Sequence, residues 1–73
     1  MKYKGQLIIG GKSISEVMMK ATHPSQVARR LTVDVKRRYP NLEIFGIAVK
    51  NEIGEHWSYS INRVNGVYQI KVN

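Results

Sequence analysis

The stretch HPSQVARRLTVDVKRRYP, residues 23–40, decides how the rest of this sequence is interpreted. It is the only segment with a sustained helical period, and a proline stands near each end. Pro24 suits the first helical position because its missing N–H is not needed there, and Pro40 ends the helix because the residue before a proline is disfavoured in the α conformation. Thr22 or His23 lies near the N-cap, and Thr22 is the better capping type. We therefore predict one helix between the two prolines.

One side of this helix is apolar and the opposite side is basic. The apolar residues recur at the spacing of a single helical stripe, which predicts contact with a core; they are Val27, Ala28, Leu31, Val35 and Tyr39. On the opposite side Val33 is surrounded by cations three and four positions away, and residues at these spacings are neighbours on a helix. We name this surface the basic helix face, and its cations are Arg29, Arg30, Lys36 and Arg37, with Asp34 at the margin.

The basic helix face has two interpretations. It can be a solvated outer surface that serves solubility, or a contact surface for phosphates or an acidic protein. The composition, with 12 Lys and Arg against 5 Asp and Glu, gives a net charge of +7, which attracts polyanions without specifying which. If nucleic acid binds here, the expected contacts are Arg29, Arg30, Lys36 and Arg37, joined by Lys12 or Lys20.

The sequence before the helix predicts a β-hairpin. Residues 2–9 and 14–21 both alternate between the two faces of a strand. Pairing Leu7 with Val17 leaves residues 11–13 as the loop and places the core side chains on one face.

The sequence after the helix predicts three more strands. Residues 42–49 are almost continuously apolar, which is typical of a central strand. Further on, Asn65-Gly66 between two alternating runs indicates a type I′ hairpin. The predicted elements are strands over residues 2–9, 14–21, 42–50, 56–64 and 67–72, and a helix over 24–39.

These elements predict an α+β fold in the order β-β-α-β-β-β, as one small basic domain over residues 1–73. One helix packs on one face of a five-stranded, mainly antiparallel sheet, and the strand order 2-1-3-4-5 lets the first hairpin and the last three strands meet as antiparallel neighbours. The predicted core consists of Leu7, Val17, Met19, Val27, Leu31, Val35, Leu42, Ile44, Trp57, Ile61 and Ile70.

A single helix leaves the second face of the sheet uncovered. If Ile44 points towards the helix, then Phe45, Ile47 and Val49 point to the uncovered face, where Met18 also lies. An exposed apolar patch of this kind requires a partner. We therefore expect a homodimer, formed through these four residues or by pairing of strand edges.

No residue pattern predicts catalysis or metal binding. His23 and His56 begin a helix and a strand, where capping or surface roles are the usual ones, and a general base needs a partner that orients it. The remaining enzymatic alternative is a small basic ribonuclease with His56, Tyr59 and Arg63 beside a phosphate. The segment EIGEH, residues 52–56, supplies too few ligands for a convincing metal site. We expect no enzyme, no metal and no cofactor.

Two classes of function remain. The first is a non-enzymatic nucleic-acid-binding module that contacts the phosphates of DNA or RNA through the basic helix face. The second is a small protein-interaction or inhibitor protein, for example an accessory protein of a phage or other mobile element, which would use the uncovered sheet face, a strand edge or the basic helix face against an acidic protein surface. The lack of cysteine, and of any apolar run near the roughly 20 residues of a membrane span, predicts a cytoplasmic protein with no membrane contact.

Overall fold

The helix α1 (Pro24–Arg38) of the computed structural model lies where the two prolines place it. Its N-cap is His23, not the better capping type Thr22: the His23 ring Nδ1 accepts a hydrogen bond from the Ser25 N–H at 3.1 Å. The Gln26 Oε1 atom accepts from the backbone N–H of Thr22 at 2.8 Å and of His23 at 3.4 Å. Because a neutral imidazole carries one acceptor nitrogen, histidine can complete this capping box in place of a hydroxyl.

Five strands form one antiparallel sheet in the predicted order β2-β1-β3-β4-β5. The helix packs across one face of this sheet, mainly over β1 and β3. The predicted α+β fold is therefore confirmed. The strands are β1 (Lys2–Ile9), β2 (Lys12–Lys20), β3 (Ile44–Asn51), β4 (His56–Val64) and β5 (Val67–Val72).

Both hairpins close with two-residue turns, but only the second does so as predicted. Asn65 and Gly66 have φ of 53° and 79°, the left-handed backbone of the predicted turn. The first turn is Gly10-Gly11, with φ of 58° and 80°, instead of the predicted loop 11–13. As a result Val17 lies opposite Gly5, and its predicted pairing with Leu7 is wrong.

A β-bulge in β2 sets which side chains of that strand face the helix. Next to the turn the register would place Glu16 opposite Gly5, on the helix side of the sheet. The register shifts by one residue at Ile14, which has no partner on β1. Because a one-residue shift moves every side chain to the other face, Val17 and Met19 point towards the helix beyond the bulge.

The core between helix and sheet corrects the prediction for β3. Phe45, Ile47 and Val49 are exposed by only 4%, 1% and 0%, so their predicted position on the uncovered face is wrong. Ile47 pairs with Leu7 of β1 and therefore shares its helix-facing side. Ile44, expected in the core, is 71% exposed instead. The continuous apolar run of β3 carries no alternation, so the sequence left the direction of its side chains undetermined.

Most of the other core residues lie where periodicity places them. Leu7, Val27, Leu31, Val35 and Ile61 are buried. Partly buried side chains close the margin of the core: Val17, Met19, Leu42 and Trp57. Ile70, on the edge strand β5, is exposed.

The helix approaches β1 most closely at Gly5. A Cβ atom added there would lie 2.6 Å from Val27 Cγ1 and 3.0 Å from Leu31 Cδ1. Both neighbours are buried, and a helical valine has essentially one χ1 rotamer, so neither can move aside easily. The absence of a side chain at Gly5 is therefore a condition for the observed distance between helix and sheet.

Gly5→Ala should lower the free energy of unfolding. Overpacking a core costs about 1–3 kcal/mol, which exceeds the roughly 0.4–1 kcal/mol that alanine contributes by restricting the unfolded chain. Gly46→Ala is the matched control, because the nearest atom to its added Cβ is at 3.6 Å. Chemical denaturation should show a loss for the first variant and none for the second; equal midpoints would contradict the close packing at Gly5.

Candidate nucleic-acid interface

The basic helix face points into solvent. Packing of the apolar stripe on the sheet fixes the rotation of α1, so the opposite side turns outward. Arg29, Arg30, Lys36 and Arg37 are all exposed, and Val33 at their centre is 54% exposed. The structure thus brings these four predicted residues together on one surface.

Most of these cations lack an acidic partner. Arg30 Nε lies 3.7 Å from Asp34 Oδ1, one helical turn away, and this is the one ion pair on the face. Arg38, which was not among the predicted binding residues, is also exposed and basic in the last turn. Cations near the C-terminus of a helix complement its dipole, so stability alone can account for part of this charge.

The two lysines expected to join this face lie elsewhere. Lys20 pairs with Lys2 at the end of β2, on the uncovered side of the sheet, so it does not lie beside the helix cations. Lys12 lies opposite Ile9 beside the first hairpin turn and is exposed.

The uncovered sheet face is polar instead of apolar at its centre. Of the four residues predicted to form an apolar interface, only Met18 is exposed there. Small or polar side chains occupy the middle strands, and lysines gather at one end. The residues of this face are Lys2, Lys4, Gln6, Ile8, Ser13, Glu16, Met18, Lys20, Ile44, Gly46, Ala48, Lys50, His56, Ser58, Ser60, Asn62, Val64, Val67, Gln69 and Lys71.

Glu16 is the one acid within the strands of this face. Gln6 Nε2 donates a hydrogen bond to Glu16 Oε2 at 2.9 Å, and Lys4 Nζ lies 3.3 Å from the same oxygen. These two contacts, the Gln6 bond first, hold the pKa of Glu16 below its ordinary value of 4.5. A depressed carboxyl pKa contributes stability at neutral pH that is lost as the pH falls through the folded-state value.

Gln6→Ala and Lys4→Gln should each raise the pKa of Glu16, because each removes a contact that lowers it. An NMR titration of the Glu16 carboxyl would measure both shifts. The destabilisation of each variant should be largest at neutral pH and should disappear on acidification. Lys20→Gln is the control, since its lysine makes no ion pair with Glu16; an equal rise there would point to net charge instead of the two contacts.

The residues of the ribonuclease alternative are not assembled. His56 lies on the uncovered sheet face, whereas Tyr59 is buried under the helix, where burial and the nearby Tyr3 raise its pKa above 10.0. Arg63 contacts the connection before β3: its guanidinium donates to the Pro40 carbonyl, lies 3.6 Å from a Glu43 carboxylate oxygen and stacks over the Tyr68 ring.

The segment 52–56 forms the β3–β4 turn around a buried asparagine. Asn51 Oδ1 accepts from the backbone N–H groups of Ile53 and Glu55, and its Nδ2 donates to Glu55 Oε1 at 2.8 Å. Glu52 accepts from the Lys2 N–H at 3.2 Å. No group of three or more His, Cys, Asp or Glu side chains is placed to hold a metal ion.

The helix α1 is too short and too polar to cross a bilayer. No protein-family model, curated protein or solved structure matches this chain. The charge and contacts of the surface residues are therefore the basis for assigning a function.

The pairing of lysines across neighbouring strands of the uncovered sheet face is the feature that sequence reasoning missed. Lys4 lies directly opposite Lys50, and Lys2 directly opposite Lys20. The prediction pointed Ile44 towards the helix, and side chains alternate along a strand, so Lys50 was expected on the helix side as well. The pair of Lys4 and Lys50 was therefore not predicted. Knowledge of the register of β3 against β1 would have been needed to predict the pair of Lys4 and Lys50.

Proposed function

We propose that this protein is a non-enzymatic nucleic-acid-binding module that contacts the phosphate backbone through the basic helix face. The observation that supports this most is the set of exposed cations without an acidic partner at Arg29, Lys36 and Arg37. An arginine side chain offers five N–H donors and a lysine side chain three, and neither has an acceptor. The surface therefore suits anionic oxygens.

The spacing along the helix suits more than one phosphate. Arg29 and Arg37 are separated by eight positions, which is about 12 Å at the helical rise of about 1.5 Å per residue. Contacts of this kind fix affinity and orientation, whereas sequence is read by contacts to base edges. We therefore expect binding with little sequence preference.

Replacing one cation of the basic helix face should change the salt dependence of binding. Arg37→Ala should flatten the slope of log K against log salt by about 0.9 on duplex DNA, because one fewer counterion is released. Lys71→Ala removes the same charge from the edge strand β5 and should leave the slope nearly unchanged. Electrophoretic shifts of random-sequence duplex DNA and of RNA over a salt series would measure both.

The double variant Arg29→Ala with Arg37→Ala sharpens this test. Neither residue makes an ion pair, so their removal exposes no unpaired carboxylate, unlike removal of Arg30 beside Asp34. The slope should flatten by nearly two, uniformly across sequences. Equal losses from Arg37→Ala and Lys71→Ala would indicate attraction by net charge alone, and no binding by the parent at low salt would reject the proposal.

The alternative function is a protein-interaction module, and the edge strand β5 favours it. Strand β2, at the other edge, is interrupted by its bulge and carries Lys12 and Lys20, features that discourage pairing with another chain. Strand β5 pairs without a bulge and carries one lysine, Lys71; its exposed apolar residues are Val67, Ile70 and Val72. A partner strand could therefore add to β5, from an acidic protein or from a second copy as in the expected homodimer.

Val72→Lys should abolish self-association if β5 is the pairing edge, because a charge on an edge strand opposes the addition of another strand. Sedimentation equilibrium at tens of micromolar would compare it with the parent. Ile44→Lys, an exposed apolar residue outside β5, is the control and should not alter the mass. A monomeric parent would exclude the homodimer and leave an acidic protein as the partner in this alternative.

A further inference from the structure

Four lysines meet at one end of the uncovered sheet face. Lys2 is directly opposite Lys20 across β1 and β2, and Lys4 is directly opposite Lys50 across β1 and β3. We name these four residues the lysine cluster. Side chains directly opposite on neighbouring strands start about 4.5–5.5 Å apart at Cβ, and like charges in such pairs are destabilising.

The carboxylates nearby neutralise only part of this charge. Glu16 pairs with Lys4, and Glu52 accepts from the backbone N–H of Lys2. Lys20 and Lys50 make no ion pair. The repulsion is therefore only partly relieved within the chain, and an added anion would lower it further.

The surface beside the cluster has room for such an anion. A shallow cavity of about 340 Å³ lies between β1 and β4, and its lining includes Lys4, Gln6, Lys50, His56 and Ser58. Its polar lining consists of cations and hydrogen-bonding groups, and the Glu16 carboxylate contacts two of them, Lys4 and Gln6. A phosphate fits this chemistry better than an apolar ligand does.

We propose that the lysine cluster is a second phosphate-binding site for nucleic acid, so that one molecule bridges two nucleic-acid segments. The sheet and the core separate this cluster from the basic helix face, and the shortest extent of the molecule is 21 Å. A single straight duplex can contact only one of the two surfaces at a time. The bridging rests on the proposed function of the basic helix face, whereas the lysine cluster rests on its own charge and geometry.

A two-step capture experiment tests this bridging. A random-sequence DNA duplex is immobilised, the protein is added and excess is washed away, and a fluorescent duplex of the same kind is then offered. The parent should retain the second duplex. Three charge reversals, each lowering the net charge by two, are compared: Lys50→Glu in the cluster, Arg37→Glu on the helix, and Lys71→Glu as the control on β5.

Lys50→Glu should bind the immobilised duplex through the helix and capture at least tenfold less of the second one, because its carboxylate neutralises Lys4. Lys71→Glu should behave as the parent. Capture by Lys50→Glu at the parent's level would overturn the lysine cluster, as would equal losses from Lys50→Glu and Lys71→Glu. A dimer that bridges through one site per copy would also be insensitive to Lys50→Glu.

Arg37→Glu separates this inference from the proposed function. If both surfaces bind, it too should lose the second duplex while remaining on the immobilised one through the lysine cluster. A different outcome is that Arg37→Glu captures the second duplex as the parent does, while Lys50→Glu no longer binds the first duplex. That outcome would reject the basic helix face and leave the lysine cluster as the binding site. It would also overturn the bridging through both faces.

Thermal unfolding checks the repulsion without any nucleic acid. Lys50→Glu replaces a like-charge pair with an opposite-charge pair, so its melting temperature should exceed the parent's at low ionic strength. The difference should shrink at high salt, because exposed charges are screened. A melting temperature below the parent's would contradict the remaining repulsion on which the site is inferred.

Discussion

The contact between α1 and β1 at Gly5 is the constraint on which the rest of the structure depends. A side chain at this position would collide with Val27 and Leu31, so the helix lies at its observed distance only because glycine stands there. This contact fixes both the distance of the helix from the sheet and the rotation of the helix about its axis, since Val27 and Leu31 belong to its apolar stripe. The positions of all charged residues on the outer side of the helix follow from it.

The same two-layer packing divides the positive charge between opposite surfaces. Four of the five arginines lie on the helix, three of them on the basic helix face, and five of the seven lysines lie on the sheet face that no helix covers. If the net charge of +7 were distributed evenly over the 73 residues, the cations would repel one another to a similar extent over the whole surface. Its concentration into two surfaces gives each a defined geometry for anionic oxygens.

The corrected direction of the β3 side chains changes which residues lie on the uncovered sheet face. With Phe45, Ile47 and Val49 in the core, that face loses the apolar patch that predicted a homodimer through it. Lys50 moves to the uncovered face by the same correction and meets Lys4. The surface that was expected to bind an apolar partner is therefore one whose charge suits a polyanion.

The sequence by itself determined the helix and the second hairpin, because these depend on local signals, whereas the predicted strand order came from joining the strands as antiparallel neighbours. Pro24 and Pro40 bound the helix, and Asn65-Gly66 imposes a left-handed turn whatever lies around it. Exposure of the helix cations followed from the 3.6-residue period alone. Only the tertiary structure decided the first-hairpin register and the direction of β3, because a bulge at Ile14 and an apolar run without alternation leave no local signal. The lysine pairs on the uncovered face depend on both, since residues distant in sequence become neighbours only through strand register.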